Sequence, residues 1–369
     1  MSEDRDRPES AGPLDRYRSM RDFEATPEPA GSPPQPSDSA RFVIQEHHAT
    51  ALHWDLRLER DGVLVSFALP KGIPPHPRQN NLAIHTEDHP MEYLDFAGDI
   101  PKGSYGAGSM WIWDRGTYTT EKFDDREVMV TFAGERTRGR YVLFHTRDNQ
   151  WMIHRMDPPE DPARELMPDE FALMEPVAGP LPDDAGWAFE FHWPGARMTV
   201  AVEGGRCRAA ASTPNRASRE VTGTWPEFAL FGRAIGSLPV ILDIVAVTLG
   251  TDGRPDAARL SRRRAARSDN TGRRVARQVP ATLLVIDLLW LEGHTATELP
   301  YRDRRRLLDD LRLEGEHWRT PSYHDGDGDA VLAAAGHQHL PGVIAKRLDS
   351  PYVAGRSELW RAVSANLRQ

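Results

Sequence analysis

Within this 369-residue chain, the side chains whose types and spacing suit phosphate chemistry are His47, His53, Asp55, Arg57 and His89. A histidine and a carboxylate two residues apart on one strand face can converge on a single divalent cation. His47, six residues upstream across a turn, can supply a third ligand. Mixed imidazole and carboxylate ligation suits Mn²⁺, Zn²⁺ or Fe²⁺ rather than Ca²⁺. Arg57, one step further along the same face, would lie beside the metal, where a guanidinium binds phosphate oxygens bidentately. His85, Glu87 and His89 alternate along a second run, and Tyr93 offers a hydroxyl nearby. Six of the fourteen histidines (His47, His48, His53, His76, His85 and His89) crowd into this one segment.

These groups need elements to hold them. In Leu52-His53-Trp54-Asp55-Leu56-Arg57-Leu58-Glu59 apolar and polar residues alternate strictly, the period-two signature of a strand that turns His53, Asp55, Arg57 and Glu59 to one face. The plain reading is an outer strand with its polar side in water; the chemistry of this face argues for a site. Further β-like runs (Phe42–Ile44, Val63–Phe67, Met110–Trp113, Tyr141–Phe144), punctuated by Gly, Pro, Asp and Asn, predict an antiparallel sheet closed into a β-barrel or sandwich over residues 41–157. Residues 1–40, rich in Pro, Ser and charge, read as a largely flexible arm with one island at 21–29. The Pro-rich stretch 158–185 resists regular structure and reads as a linker. Residues 186–369 mix strands (Val240–Val247, Thr282–Leu288) with helices (Arg302–Leu313, Asp329–Ala335), an α+β domain. The basic run Arg262–Arg277 reads as a solvated loop or helix face.

A net charge of −9 with pI near 5.9 argues against a protein that coats nucleic acid along a long basic surface, though not against one that grips a strand end. A single cysteine, Cys207, excludes an internal disulfide framework, and the polar amino terminus has no signal-like stretch, which predicts a cytoplasmic protein. The most apolar runs are short and carry Asp243 and Asp287, so no membrane span is expected.

Taken together, Gln45-x-His47-x5-His53-x-Asp55-x-Arg57-Leu58-Glu59, Pro70-Lys71-Gly72, Glu87-Asp88-His89-Pro90-x-x-Tyr93 and Ile100-Pro101-Lys102-Gly103-x-Tyr105-Gly106-Ala107-Gly108 closely resemble the 3′-phosphoesterase domain of bacterial DNA ligase D. The resemblance runs from about Arg21 to Asp157 and takes in Arg21, Asp22 and Glu28 of the island. It implies a small β-barrel that removes a terminal 3′ ribonucleoside and then the 3′-phosphate. It also implies His47, His53 and Asp55 as metal ligands, Arg57, His89 and Tyr93 as catalytic groups, and Arg57, Arg21, Asp22, Glu28 and Lys71 as phosphate-binding groups. Asn81 and His154 stand where the family often has basic residues.

The second half resembles the adenylation domain of ATP-dependent DNA ligases with its chemistry stripped. In Trp187–Arg197 the pattern Lys-x-Asp-Gly-x-Arg has His192 for the lysine and Pro194 for the aspartate; a reaction that needs a primary amine is not simply handed to an imidazole. Val245 replaces a glutamate, Pro341 a metal-linked glutamate, and Ala362 and Ser364 two phosphate-contacting lysines. The OB-fold domain that such ligases append is expected to be absent.

The resemblances thus imply a β-barrel phosphoesterase domain followed by an α+β ligase-like nucleotidyltransferase domain. The activity expected is divalent-metal-dependent trimming of 3′ ribonucleotides and 3′-phosphates from DNA ends during repair by end joining. Mn²⁺ is the metal the resemblance favours, Zn²⁺ being permitted by the ligands, and no use of ATP is expected. Partners implied are DNA 3′ ends, the end-binding protein Ku and a separate active ligase, in a nucleoid-associated setting. The rival is a noncatalytic scaffold for DNA ends or repair partners.

Overall fold

The computed structural model describes residues 12–33, 40–213 and 216–365, which divide into two compact units at Pro162/Ala163. In the first unit, nine strands follow one another: β1 (Arg41–His48), β2 (Leu52–Arg60), β3 (Val63–Leu69), β4 (Asn80–His85), β5 (Gly98–Ile100), β6 (Gly108–Phe123), β7 (Glu127–Gly134), β8 (Arg138–Arg147) and β9 (Gln150–Arg155). Their order is β1-β2-β3-β4-β9-β8-β7-β6, and β6 pairs back onto β1, so eight strands close into a barrel with β5 appended to β6. Closure leaves none of the eight with an open edge.

Strand parity decides where the site lies. Phe42 and Ile44 of β1, Trp54, Leu56 and Leu58 of β2, and Phe67 and Leu69 of β3 point inward, where they meet Phe132, Tyr141, Leu143 and Ile153 in the barrel core. The intervening residues Val43, Gln45 and His47, and across the β1–β2 pair Arg57, Asp55 and His53, therefore face the outer wall. That wall is not in water. A second apolar cluster of Tyr17, Val43, Leu64, Tyr93, Ile100 and Met110 packs on it. Gln45, His47, Asp55, Arg57 and Glu59 are all buried as a result. The solvated-strand reading of β2 fails because two excursions roof it: the segment 12–33, and the loop 86–107, which is clipped to β3 by reciprocal Leu64–His89 backbone hydrogen bonds.

The expectation of a flexible arm accordingly fails for residues 12–33. A short helix, Asp15–Ser19, buries Tyr17, and the Tyr17 hydroxyl donates to the Pro29 carbonyl at 2.6 Å, closing the segment on itself. The arm's remaining residues, 1–11 and 34–39, lie outside the described residues.

The second unit has two sheets. The larger contains β12 (Ala196–Glu203), β13 (Arg206–Thr213), β14 (Arg216–Glu220), β15 (Val240–Val247) and β16 (Thr282–Leu291), with β15 and β16 buried along nearly their whole length, the helix Glu227–Ile235 packed on β12 and β13 and the helix Tyr301–Asp310 on β16. The smaller contains β10 (Met174–Ala178), β11 (Trp187–Phe191) and the strands Gly342–Arg347 and Gly355–Ser364. β10 falls inside the stretch expected to be an unstructured linker. It pairs in parallel with Gly355–Ser364 at the sheet's edge, and the register shifts at Pro176/Val177, so Pro176, which has no N–H to donate, sits where sheets tolerate it. The basic run forms two helices, Ala257–Arg264 and Asp269–Gln278, with Arg263 fully buried against Glu227 and the other arginines exposed or half-buried. No helix among the described residues is long and apolar enough to cross a membrane.

Candidate metal centre and its anion pocket

Register brings the three expected ligands together, since His47 pairs with His53 and Gln45 with Asp55 across β1–β2. Ligand atoms of His47, His53 and Asp55 all lie within 4.8 Å of one another. His47 Nδ1 is 3.4 Å from one Asp55 carboxylate oxygen and His53 Nε2 is 3.6 Å from the other. His53 Nδ1 is engaged by the Ala51 carbonyl, which leaves Nε2 turned to the cluster. Both ring nitrogens of His47 are buried without a hydrogen-bond partner. A buried imidazole with neither nitrogen satisfied is costly unless it binds something, and a divalent cation fits the donor set. Burial opposes the charge on Asp55, but the Arg57 guanidinium, helped by the two imidazoles, outweighs it and holds the carboxylate below the usual range. A deprotonated oxygen is what a metal needs.

Beside this trio lies a cationic wall. Arg57 donates through Nε to Gln45 Oε1 (2.7 Å), through Nη1 to Ser66 (2.9 Å) and through Nη2 to Asp55 (3.2 Å). Five N–H donors less these three leaves two for an anion. Arg21 is held by Glu28 at 2.8 Å and Glu87 at 3.0 Å, its guanidinium lying 4.0 Å from the Tyr17 ring centre. Its Nη2 is 3.2 Å from His89 Nε2. His89 Nδ1 lies 2.8 Å from the Glu87 carbonyl, and a carbonyl only accepts, so Nδ1 carries the proton and Nε2 offers a lone pair to Arg21. Burial, then the Arg57 and Arg21 cations, push the imidazole well below its ordinary pKa. His89 is neutral here.

Tyr93 is buried, with its ring 4.8 Å from the Arg57 guanidinium and its hydroxyl donating to Glu28; burial pushes the phenol upward, so it stays protonated. Glu28, expected to bind phosphate, instead ties Arg21, Thr26 and Tyr93 together, as an anionic group must when facing another anion. Asp22 is exposed, its carboxylate accepting the Glu24 amide in a turn, and Lys71 is exposed on the turn after β3, so neither joins the buried group. Glu59, on the same strand face, is spent on Arg41 at the far end of β2. His48, His76 and His85 stand outside: His48 is bonded to Glu46, His76 caps a turn at Arg78, and His85 packs on Phe67 and Trp151. Asn81 bonds the Gly72 carbonyl and His154 bonds Asn80, so both act in packing. Sequence reasoning gave no role to Gln45, Ser66 or Tyr17. Gln45 links Arg57 to the Tyr93 and Phe96 carbonyls.

In the second unit a cavity of about 260 Å³ is lined by His192, Pro194, Val245, Arg197, Lys346 and Trp360, among others. Its cations are closed by carboxylates of the chain itself. Lys346 Nζ sits 2.8 Å from Glu190 and donates to the Ile286 carbonyl; Arg197 grips Asp243, which also accepts from Tyr352. Burial, then Arg197, lower the His192 imidazole, so it is uncharged. Pro341 is exposed before its strand, while Ala362 and Ser364 pair with Ile344 and Gly342 in the sheet.

Residues 45–145 match the family described as the DNA ligase D 3′-phosphoesterase domain, and residues 181–362 match the ATP-dependent DNA ligase domain. The multifunctional non-homologous end joining protein LigD of Mycolicibacterium smegmatis is 41% identical over 95% of this chain and 45% of its own length. The corresponding protein of Mycobacterium tuberculosis H37Rv is 40% identical over 93% of this chain and 44% of its own. That of Pseudomonas aeruginosa is 30% identical over 98% and 48%. The chain spans about half the length of these curated relatives.

Proposed function

For a chain that pairs a DNA ligase D 3′-phosphoesterase domain with an ATP-dependent DNA ligase domain, we propose a metal-dependent 3′-phosphoesterase. It trims 3′ ribonucleotides and 3′-phosphates from DNA ends to 3′-hydroxyls in repair by end joining. The observation that carries this reading is the buried convergence of His47, His53 and Asp55 beside two guanidiniums with N–H donors to spare. A divalent ion held by those three, for which we favour Mn²⁺, would supply Lewis-acid polarisation of a phosphoryl oxygen.

The chain's own groups do the rest. Arg57 and Arg21 hold non-bridging oxygens and meet the charge that grows on them in the transition state. For a 3′-phosphate the oxygen of water bonds to phosphorus, the bond from phosphorus to O3′ breaks, and O3′ leaves as the hydroxyl after taking up a proton. His89, neutral and with its Nε2 lone pair accepting from Arg21, positions that guanidinium; its Nδ1–H is committed to the Glu87 carbonyl, so neither nitrogen is free to take water's proton or to give one to the leaving group, and both protons exchange with solvent water. Tyr93 and Glu28 fix both arginines.

In this proposal the ligase-like domain neither uses ATP nor seals nicks, because His192 and Pro194 replace the two chemical groups of its nucleotide-attachment motif and Lys346 is tied to Glu190. Sealing then falls to a separate ligase, with Ku as the end-binding partner, in a nucleoid-associated cytoplasmic setting. The test is the full chain on primer-templates ending in a 3′-phosphate or one 3′ ribonucleotide, with and without Mn²⁺. Metal-dependent appearance of a 3′-hydroxyl is expected; unchanged ends would overturn the reading.

A further inference from the structure

The loop between β5 and β6 has no part in the chemistry above, yet it touches both halves of the pocket. It runs Pro101-Lys102-Gly103-Ser104-Tyr105-Gly106-Ala107-Gly108 and turns through backbone that favours glycine, with φ of 97° at Gly103, 72° at Gly106 and 149° at Gly108. At Gly108 a β-carbon would stand 2.5 Å from the His48 carbonyl, so the loop is pressed onto the end of β1. At Gly106 it would stand 4.0 Å from the His47 ring. The neighbouring residue, Tyr105, reaches the other half: the Arg21 guanidinium lies 5.2 Å from its ring centre. One loop thus spans from the candidate metal ligand to the candidate phosphate cation. Tyr105 stands at the lip with 47% of its surface exposed, in a unit whose other tyrosines near the site, Tyr17 and Tyr93, are fully buried.

An aromatic ring left half in water beside a buried cationic pocket forfeits apolar burial that a second flat ring would recover. A phosphate seated on Arg21 and Arg57 brings such a ring, because in a 3′-phosphorylated strand the scissile oxygen belongs to a nucleoside whose base must emerge at the pocket's edge. Base–aromatic stacking is strong and tolerant of sequence, since every base has a π-face. Lys102, exposed and without an ion-pair partner among the described residues, stands on the same loop. We propose that Tyr105, presented by the loop 101–108, is a stacking platform for the base of the 3′-terminal nucleotide. The site then reads a nucleic-acid end rather than any phosphomonoester. The inference rests on the phosphoesterase reading for its substrate, but its test does not need turnover.

The experiment measures binding of the full chain to fluorescent primer-templates ending in a 3′-phosphate, in EDTA, with the terminal nucleotide either carrying its base or abasic. KM and kcat on the same substrates in Mn²⁺ follow. On the base-bearing end Tyr105→Ala is expected to raise Kd and KM by about 5- to 100-fold, and Tyr105→Phe to bind like the wild type. On the abasic end wild type and Tyr105→Ala should bind alike. Equal loss on both ends, no loss on either, or a Tyr105→Phe as weak as Tyr105→Ala would each overturn the platform. If the binding pattern holds while no 3′-phosphate is ever removed, the phosphoesterase reading falls and the stacking site stands; activity without the pattern gives the reverse.

Discussion

Each unit of this chain buries charged side chains around a pocket, and the two pockets differ in whether those charges are finished. On the barrel's outer wall Asp55, Glu28 and Glu87 engage Arg57 and Arg21 incompletely, and neither nitrogen of His47 makes a hydrogen bond. In the ligase-like unit's pocket Lys346 is paired with Glu190 and Arg197 bidentately with Asp243; elsewhere in that unit Arg304 and Arg263 are held bidentately by Asp287 and Glu227. Burying a charge costs several kcal/mol by rough measure, and a chain recovers this through its own partners or through a ligand. The first pocket keeps a buried imidazole without a hydrogen bond. In the second, each buried cation has a carboxylate partner within the chain.

The widest effect expected on this contrast comes from removing one ligand of the open pocket. His53 is half-buried, so His53→Ala should leave the fold intact while Mn²⁺-dependent conversion of a 3′-phosphate end falls by about 10³-fold or more, the several kcal/mol of Lewis-acid assistance being lost. End-group analysis on denaturing gels, with circular dichroism as the control for folding, reads it. Full activity would sink the metal assignment.

Opening a closed pair should do the reverse. Glu190→Ala leaves the buried Lys346 ammonium with no carboxylate, only the Ile286 carbonyl and the faces of Tyr301 and Trp360, and should destabilise the second unit by about 3–5 kcal/mol. Phosphoesterase activity should not move. Calorimetry that resolves the unfolding of the two units checks the first claim and the gel assay the second; unchanged stability would mean that the pair is not what holds that pocket.

Next in size is Arg57→Lys. A lysine keeps the charge but cannot bond Gln45, Ser66 and Asp55 while offering two further donors, so kcat should fall by roughly 10²-fold with folding preserved. A variant of near-normal kcat would show that Arg57 contributes charge alone.

The open pocket was far more legible in the sequence than its supports. Alternation along Leu52–Glu59 was enough to put His53, Asp55 and Arg57 on one face, because strand periodicity is local. Arg21 and Glu28 came only through resemblance, since their contacts reach across 65 and more residues to Tyr93 and Glu87. Gln45, Ser66 and Tyr17 carry no chemical signature of their own; a buried glutamine linking Arg57 to the Tyr93 carbonyl is a product of packing, which residue types do not announce. The same locality explains β10. Proline density reads as absence of structure, yet an edge strand asks nothing of the Pro176 nitrogen.

The smallest expected effect is none at all, and it concerns ATP. Forming an adenylate requires a nucleophile at the α-phosphate and cations to carry the triphosphate. The cavity offers a neutral, half-buried imidazole at His192, a lysine whose ammonium is shared between Glu190 and the Ile286 carbonyl, and an arginine already gripped by Asp243. Freeing Lys346 to attack would leave Glu190 buried with only the Tyr301 hydroxyl donating to it, and the Lys346 backbone cannot move without unpairing from Ala188. Incubation of the full chain with α-labelled ATP and Mg²⁺ or Mn²⁺ should therefore give no covalent label and no shift in melting temperature. A labelled band that disappears in His192→Ala or Lys346→Ala would show that the second pocket is unfinished after all, and the contrast between the two units would then be one of substrate rather than of open against closed charge.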